Sequence, residues 1–326
     1  MKKFILAILC LLGLIFVPKF FSELNDDINA ISAIEELGSV TFLVVGFDNA
    51  AMNTDSIMIC NIDGENNGIS ILQLPRDTYN KQSETKKING IFPTSKMNGL
   101  DDAGAMGVLA HRIGSDLGIK IDYYLGITTD AFIYFIDAIG GVTVDMPNGL
   151  VIKSGDGDVK LSLEKGSNTI DGSDALRFVR HRESYNRADI ERLDAQKIFI
   201  EGLLSSIDIT DMLGLVPQLK SIKNKGVITN VSLNDISKIG KIICSRNKSF
   251  DLMLATAPGD AFKEKDGKWY YYLSCPSLHE CLDRLGFSYN DMHLYNFFDS
   301  DSENSGEIFN NKVHYTIENK SIILSK

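Results

Sequence analysis

Arginine is unevenly distributed along this 326-residue chain. Five of the nine arginines fall within sixteen residues, and lysine is the commoner cation elsewhere. The five are Arg177, Arg180, Arg182, Arg187 and Arg192. Guanidinium presents a planar fork of N–H donors that binds phosphate oxygens in pairs. The cluster therefore indicates a phosphate-binding site. The alternative is a solvated surface strip, because Glu183, Glu191 and Asp194 are near enough in sequence to pair with these arginines.

The pattern around this cluster suggests how it is arranged. If residues 176–182 form a strand, Arg180 and Arg182 point to the same face. The next segment, from about 189 to 204, has helical spacing that places Asp189, Arg192 and Gln196 on one stripe. The opposite stripe of that helix is apolar and should pack on the core. We therefore expect three cations and one amide to converge.

A second group of charges follows the predicted strands. Asp48 comes directly after an apolar run, Asp55 opens the next one, and Arg76 and Asp77 end the third through Pro75. Ligands of α/β proteins bind at such strand ends. Two carboxylates near one arginine suit a magnesium ion bound to a phosphate. Taken singly, each aspartate is more simply explained as a turn former or a cap.

Strands and helices alternate along the chain, which predicts a sheet covered by helices on both faces. We expect strands over 40–47, 56–62, 68–74, 123–127 and 142–146, and helices over 101–117 and from 129 to Gly140. The alternation continues more weakly over 205–295, with apolar runs at 252–257 and 269–273. Residues 299–307 are typical of a polar linker. The last residues of the chain are typical of a small hairpin.

Composition narrows the function further. Hydrophobic residues make up 44% and there are only 7 prolines, so disorder is excluded. The net charge of −10 argues against a nucleic-acid partner, which requires a basic surface. The 5 cysteines lack zinc-ligand spacing, and no nucleophile–base pair of a serine hydrolase is recognisable.

The first 21 residues predict a membrane anchor. An apolar run from Phe4 to Val17 follows two lysines, and the segment through Phe21 would span roughly 27 Å as a helix. The positive end should stay in the cytoplasm, which places the rest of the chain outside. A cleaved signal peptide is the alternative, but no small-residue cleavage site follows.

Three longer stretches of sequence resemble the LytR-CpsA-Psr (LCP) family. They are VGFDNAAMNTDSIMICNID with ILQLPRDTYN and KKINGIF, then GIKIDYYLGITTDAFIYFIDAIGGVTVDMP, then KGSNTIDGSDALRFVRHRESYNRADIERLDAQKIFI. The resemblance implies an α/β fold, a three-layer α/β/α sandwich on a mixed central sheet, with an N-terminal transmembrane helix. The implied division is an anchor (1–21), a juxtamembrane spacer (22–38), a catalytic domain (39–295, with the strongest match over 41–205) and a C-terminal tail (296–326).

The resemblance also implies an activity. Such enzymes of the bacterial cell membrane transfer a glycopolymer (teichoic acid, capsule or a related anionic glycan) from a polyprenyl-pyrophosphate carrier to peptidoglycan. They form a phosphodiester and release polyprenyl phosphate. The apolar tail of the carrier requires an apolar pocket, for which Phe132, Phe135, Ile136 and Phe199 are the candidates, although core packing is the simpler role for each.

Residue roles follow from the same resemblance. Asp48 and Asp55 match magnesium ligands of the family, with Mn²⁺ as an alternative ion. Five further residues match its pyrophosphate-binding and catalytic positions: Arg76, Arg180, Arg182, Arg192 and Gln196. Asp77 and Asp189 match positions of less certain role, and Asp189 is also a candidate helix cap.

One departure from the family pattern lies between the two aspartates. The loop at 49–54 is shorter than the family usually has, and Asn53 stands where an arginine is expected. One phosphate contact is therefore expected to be missing. Two alternatives to the transferase stay open: a pyrophosphatase acting on the same carrier, and a membrane-anchored protein that binds it without turnover.

Overall fold

The molecule is built around one seven-stranded sheet. The computed structural model describes residues 39–48, 53–63, 68–181, 188–206, 226–232, 235, 249–290 and 292–323. In chain order the strands are β1 (Ser39–Phe47), β2 (Thr54–Asp63), β3 (Gly68–Leu74), β4 (Tyr123–Thr128), β5 (Val142–Met146), β6 (Leu150–Lys153), β7 (Val159–Leu163), β8 (Gly166–Ile170), β9 (Val227–Thr229), β10 (Ser249–Thr256), β11 (Gly259–Lys263), β12 (Trp269–Leu273) and β13 (Ile317–Ile323). The helices are α1 (Ile91–Met97), α2 (Asp102–Leu117), α3 (Thr129–Ala138), α4 (Gly172–Arg180), α5 (Ala188–Ser206), α6 (Cys275–Leu285) and α7 (Glu303–Asn310).

The central sheet is mixed, and its strand order brings distant parts of the chain together. The order is β13-β10-β3-β2-β1-β4-β9. β2 is antiparallel to both β1 and β3, whereas β4 is parallel to β1 and β10 is parallel to β3. The carboxyl ends of β1, β3 and β4 therefore meet the start of β2 at one edge of the sheet. Three further pairs, β5–β8, β6–β7 and β11–β12, are separate two-stranded sheets.

Apolar residues on the central strands alternate between two cores because successive side chains of a strand point to opposite faces. In β1, Phe42 belongs to one core and Leu43 to the other. The first core also contains buried residues of α3, α4 and α5. The second contains buried residues of α1, α2 and α6. The predicted mixed sheet with helices on both faces is confirmed.

Helix starts follow from local capping. Asp101 accepts a hydrogen bond from the Gly104 amide at 2.8 Å, and Asp171 accepts one from the Asp174 amide at 2.8 Å. Thr128 accepts one from the Ala131 amide at 3.3 Å. These bonds satisfy amides that have no partner inside the helix. The predicted strands at 40–47, 56–62, 68–74, 123–127 and 142–146 are confirmed, as are the helices at 101–117, 129–140 and 189–204.

Three sequence predictions are wrong. The strand expected at 176–182 is not formed by its described part, residues 176–181, because Arg180 ends helix α4, which is capped by Asp171 and buries Ala175 and Phe178 one turn apart. The expected polar linker at 299–307 contains the first turns of α7, which buries Ile308 and Phe309. The expected terminal hairpin is instead β13, an edge strand of the central sheet that pairs with β10.

Within the described ranges, no helix is long and apolar enough to cross a membrane. The predicted anchor at 1–21 and the spacer at 22–38 lie outside the described residues. Both therefore stay predictions.

Candidate functional site

Four charged side chains meet at the edge where β1, β2 and β3 come together. Arg76 Nη1 lies 2.5 Å from Asp55 Oδ1, and Arg180 Nη2 lies 2.7 Å from Asp55 Oδ2. Arg180 Nη2 is also 4.0 Å from Asp48 Oδ2. Asp55 therefore bridges two guanidinium groups that are separated by 104 positions in the sequence, and Asp48 lies beside them.

Different elements hold these four residues. Asp55 is the second residue of β2, and Arg76 follows the end of β3 through Pro75. Asp48 follows β1, and its backbone N–H donates to the Asn53 carbonyl at 3.0 Å, which closes the β1–β2 connection. Arg180 is the last residue of α4, where a cation also interacts favourably with the helix dipole.

The site is partly open to solvent. The side chains of Asp55 and Arg76 are 19% and 23% exposed, and that of Arg180 is 40% exposed. Partial burial strengthens the attraction between a guanidinium and an anion relative to bulk water. Exposure of Arg180 at the same time leaves its donors within reach of a ligand. The two arginines can therefore bind an anionic group such as a phosphate.

A second network lies next to Arg76. The Lys87 ammonium is 2.9 Å from Asp77 Oδ1, and Asn89 Nδ2 donates to the same oxygen at 3.3 Å. The other Asp77 oxygen lies 3.7 Å from Arg76 Nε. Lys87 also lies over the ring of Tyr270, 5.3 Å from its centroid. Asp77 thus connects Arg76 to a fixed ammonium and fits a structural role.

Gln196 joins the site from helix α5. Its side-chain oxygen accepts from Ser56 Oγ and from Gln73 Nε2, both at 3.4 Å. Its Nε2 donates to the Val179 carbonyl at 3.2 Å. The amide of Gln196 is therefore held by β2, β3 and α4, the elements that carry or adjoin Asp55, Arg76 and Arg180.

An apolar cavity of about 430 Å³ opens beside these charges. Asp48, Asp55, Arg76, Arg180 and Gln196 all contribute to its wall. The rest of the wall is mainly aliphatic and aromatic, and includes Phe132, Phe135, Ile136 and Phe199, so the predicted pocket residues are confirmed as cavity-lining. Cys60 lies there too, and burial raises the pKa of its thiol to about 12.

The remaining candidate residues either lie outside the described part of the molecule or lie away from this group. Arg182 and Arg187 lie outside the described residues. Asp189 and Arg192 belong to helix α5, but their side chains also lie outside the described part of the molecule. Arg177 pairs with Asp174 at 2.6 Å on the exposed side of α4. Of the three cations expected to converge, Arg180 is the one whose side chain the structure describes, and it lies at the site.

Sequence reasoning did not single out Ser56 as a partner of Gln196, or Lys87, Asn89 and Gln73 at all. Lys87 and Asn89 lie in a short polar segment with no periodic pattern that would place them beside Asp77. Gln73 did leave a signal, because it is the only glutamine in the otherwise apolar run that forms the end of β3. A buried amide in such a strand needs a partner, which here is Gln196.

The donor chemistry fits a magnesium ion only in combination with a phosphate ligand. In the described part of the chain, no group of three or more His, Cys, Asp or Glu side chains is arranged to hold a metal ion. Asp48 and Asp55 are nevertheless neighbours, since both lie within 4.0 Å of Arg180 Nη2. Mg²⁺ commonly takes one or two carboxylates together with phosphate oxygens and water. The pair therefore fits the protein share of such a site.

Comparison with known proteins identifies the class to which this fold and site belong. The LytR_cpsA_psr family model matches residues 22–286. This match covers most of the chain, and the chain therefore belongs to the LytR_cpsA_psr family. The resemblance inferred from the sequence motifs is confirmed.

Individual relatives agree with this assignment. The chain is 28% identical over 252 residues to the polyisoprenyl-teichoic acid–peptidoglycan teichoic acid transferase TagU of Bacillus anthracis, covering 76% of this chain and 78% of TagU. A solved structure of a Streptococcus agalactiae protein has a TM-score of 0.62 at 20% identity, covering 80% of this chain and 92% of that one. The structure of TagT bound to LI-WTA has a TM-score of 0.57 at 20% identity, covering 76% and 89%.

Proposed function

We propose that this protein transfers an anionic glycopolymer from a polyprenyl-pyrophosphate carrier to peptidoglycan. The products are a glycan–phosphate–peptidoglycan diester and polyprenyl phosphate. A teichoic acid is the first polymer to test, because TagU of Bacillus anthracis is named for that transfer. A capsule or a related glycan is the next.

The observation that carries this proposal is that two arginines, Arg76 and Arg180, lie at the wall of an apolar cavity. A polyprenyl pyrophosphate is a long apolar chain that ends in two negative charges. The cavity of about 430 Å³ suits the chain, and Arg76 and Arg180 at its wall suit the pyrophosphate. A site for a purely polar substrate would not need the aliphatic and aromatic lining.

The proposed step makes and breaks one phosphorus–oxygen bond each. A sugar hydroxyl of peptidoglycan attacks the glycan-bearing phosphorus, and the bond to the bridging oxygen breaks. Polyprenyl phosphate leaves, and the hydroxyl proton passes to a base or to solvent. Negative charge grows on the leaving phosphate, so guanidinium groups fixed beside it lower the barrier.

The residues of this chain have separate tasks in that step. Arg76 and Arg180 bind the pyrophosphate, and Asp55 holds both guanidinium groups in place beforehand at 2.5 and 2.7 Å. Gln196 offers its remaining N–H to a phosphate oxygen. Arg182 and Arg192 are proposed to add further phosphate contacts, on the strength of their positions in the family motifs. Asp77 positions Arg76. Asp189 is proposed to stabilise the start of helix α5.

Asp48 and Asp55 are proposed to hold Mg²⁺, or Mn²⁺ in its place. When bound, the ion would neutralise part of the pyrophosphate charge. Residues 1–21 are proposed as a transmembrane anchor with the remainder of the chain outside the cell. This arrangement would place the cavity near the membrane that supplies the lipid carrier.

The test uses the full-length protein in detergent with Mg²⁺ and a synthetic polyprenyl-pyrophosphate oligosaccharide. Release of polyprenyl monophosphate is followed with and without peptidoglycan oligomers. Acceptor-dependent release supports transfer. Equal release without an acceptor would instead indicate a pyrophosphatase, and binding of the donor without release would indicate a non-catalytic carrier-binding protein.

A further inference from the structure

Gln73 is an unusual residue for the middle of a sheet. It lies in β3 between Leu72 and Leu74, opposite Met58 of β2 and Thr256 of β10, and is fully buried. Its side-chain oxygen has no hydrogen-bond partner among the described residues. An unsatisfied buried oxygen destabilises a fold, whereas an apolar side chain of similar size would avoid that cost. Stability alone therefore does not explain a glutamine at this position.

Among the described residues, the side chain of Gln73 makes one hydrogen bond, and it leads to the candidate site. Its Nε2 donates to Gln196 Oε1 at 3.4 Å, and Gln196 is itself only 8% exposed. On the other side of the same amide, Gln196 Nε2 donates to the Val179 carbonyl at 3.2 Å. A carbonyl only accepts and an amide nitrogen only donates. The two contacts therefore require the same orientation of the Gln196 amide.

Ser56 does not provide the same constraint. Its hydroxyl lies 3.4 Å from Gln196 Oε1, but a hydroxyl can donate or accept and would tolerate either orientation of the amide. The Val179 carbonyl can only accept and therefore sets the orientation of the Gln196 amide, and the Gln73 N–H then holds its oxygen end. With both ends held, the second N–H of Gln196 Nε2 is left for a ligand in the cavity, which Gln196 lines.

We propose that Gln73 is a positioning residue that acts through Gln196, holding its amide so that one N–H is presented to the pyrophosphate. This inference rests on the proposed function, because it assigns the ligand of Gln196 to the same substrate. The same contact also helps to hold helix α5 in place, and Gln196 lies one turn after Arg192 on that helix.

The experiment is a double-mutant cycle on the full-length protein with the polyprenyl-pyrophosphate oligosaccharide as probe. The variants are Gln73→Leu, Gln196→Ala and the double variant. Ser70→Ala is the matched control, because Ser70 is 3% exposed in the same strand and its hydroxyl donates to Leu285 instead of the site. Each variant is measured for donor affinity, for kcat and KM of acceptor-dependent release, and for thermal unfolding.

We expect Gln73→Leu to lower donor affinity or kcat about 3- to 10-fold, the usual range for one neutral hydrogen bond. We expect no additional loss when Gln73→Leu is combined with Gln196→Ala, because the residue acts only through that amide. Thermal unfolding of Gln73→Leu should be unchanged or raised. Ser70→Ala should leave affinity and kcat unchanged.

Gln73→Glu gives a second readout when it is also made in the Gln196→Ala background, where a pH effect that acts through Gln196 should be lost and one that comes only from a buried charge should stay. A protonated carboxyl group can donate to Gln196 Oε1, and a carboxylate cannot. The ratio of variant to wild-type donor affinity should therefore rise as pH falls. Losses that add in the double variant, or a Gln73→Leu protein indistinguishable from the control, would overturn the inference. If the wild type binds the donor without turnover, the transferase fails separately, and the cycle in donor affinity still decides the role of Gln73.

Discussion

Arg180 gives the sharpest test of how the site works. Its guanidinium pairs with Asp55 at 2.7 Å and lies 4.0 Å from Asp48, at the wall of the apolar cavity. Replacing it with alanine removes one positive charge from beside the pyrophosphate. Two unit charges about 4 Å apart interact by about 4 kcal/mol at an effective dielectric constant of about 20.

Solvent reduces that figure, because the Arg180 side chain is 40% exposed. We therefore expect a loss of about 3 kcal/mol of transition-state stabilisation, which lowers the rate of transfer about 10²-fold. Arg180→Lys should fall between the wild type and Arg180→Ala, because lysine keeps the charge but lacks the planar fork.

Arg177→Ala is the matched control for this prediction. Arg177 lies one turn earlier in α4, and its ion pair with Asp174 is on the exposed face. Such surface pairs contribute about 0–1 kcal/mol. The assay is the initial rate of acceptor-dependent release of polyprenyl monophosphate by each variant. Equal rates for Arg180→Ala and Arg177→Ala would refute the assignment of Arg180 to the substrate.

Three further predictions concern the cavity and the fold. Burial raises the pKa of the Cys60 thiol to about 12, so its alkylation should be slow at pH 7.5 and should accelerate about tenfold per pH unit up to pH 10. Polyprenyl phosphate should slow the alkylation of Cys60 further, because Cys60 lines the cavity. The control is Cys281, whose pKa burial also raises to about 12 and whose alkylation polyprenyl phosphate should not affect. Equal effects on both thiols would argue against lipid binding in the cavity. A cavity of about 150 Å³ holds one benzene ring of six carbons, so about 430 Å³ should hold about 17 carbons, which is about three isoprene units. kcat/KM should therefore rise with donor chain length up to that size and then level off, and a continued rise would contradict the estimate. Gly118→Ala should destabilise the fold by about 2–4 kcal/mol in denaturant unfolding, because its φ is 65° and a Cβ would lie 2.2 Å from the Asn290 carbonyl oxygen. Gly286 has a φ of 71° and open space around it, so Gly286→Ala should lower the free energy of unfolding by only about 1 kcal/mol. Equal losses for the two variants would show that the expected clash with Asn290 is unimportant.

Much of the sheet was predictable from local patterns. Apolar runs at β1, β2 and β3 are long and bounded by turn residues, and α2 shows a clear helical stripe ending in Gly118. These signals are local, so the sequence contains them directly. The pairing of β13 with β10 is not local, because the two strands are separated by α6 and α7 and by the β11–β12 pair.

The strand expected at 176–182 was wrong for a physical reason. Alternation of Arg180 with Arg182 resembles the period of a strand, but Ala175 and Phe178 are spaced for a helix. Asp171 supplies the cap that starts this helix, and its hydrogen bond to Asp174 outweighs the short alternating pattern. Arg180 reaches the site nevertheless, from the end of α4.

The candidate site was partly predictable. Asp48, Asp55 and Arg76 come together because they occupy strand ends that the sheet order places at one edge. The partners of Asp77 come from an irregular segment that follows it, and the buried contact between Gln73 and Gln196 depends on packing between β3 and α5; no local pattern encodes either. Such contacts emerge only with the tertiary structure.

The origin of the oxygen on the product phosphate tests the central claim most directly. Full-length protein, Mg²⁺, the polyprenyl-pyrophosphate oligosaccharide and peptidoglycan oligomers are incubated in ¹⁸O-labelled water, and the glycan products are analysed by mass spectrometry. We predict a glycan–phosphate–peptidoglycan diester without ¹⁸O on its phosphorus. A free glycan phosphate carrying one ¹⁸O, with no diester formed, would contradict it and assign the site to hydrolysis.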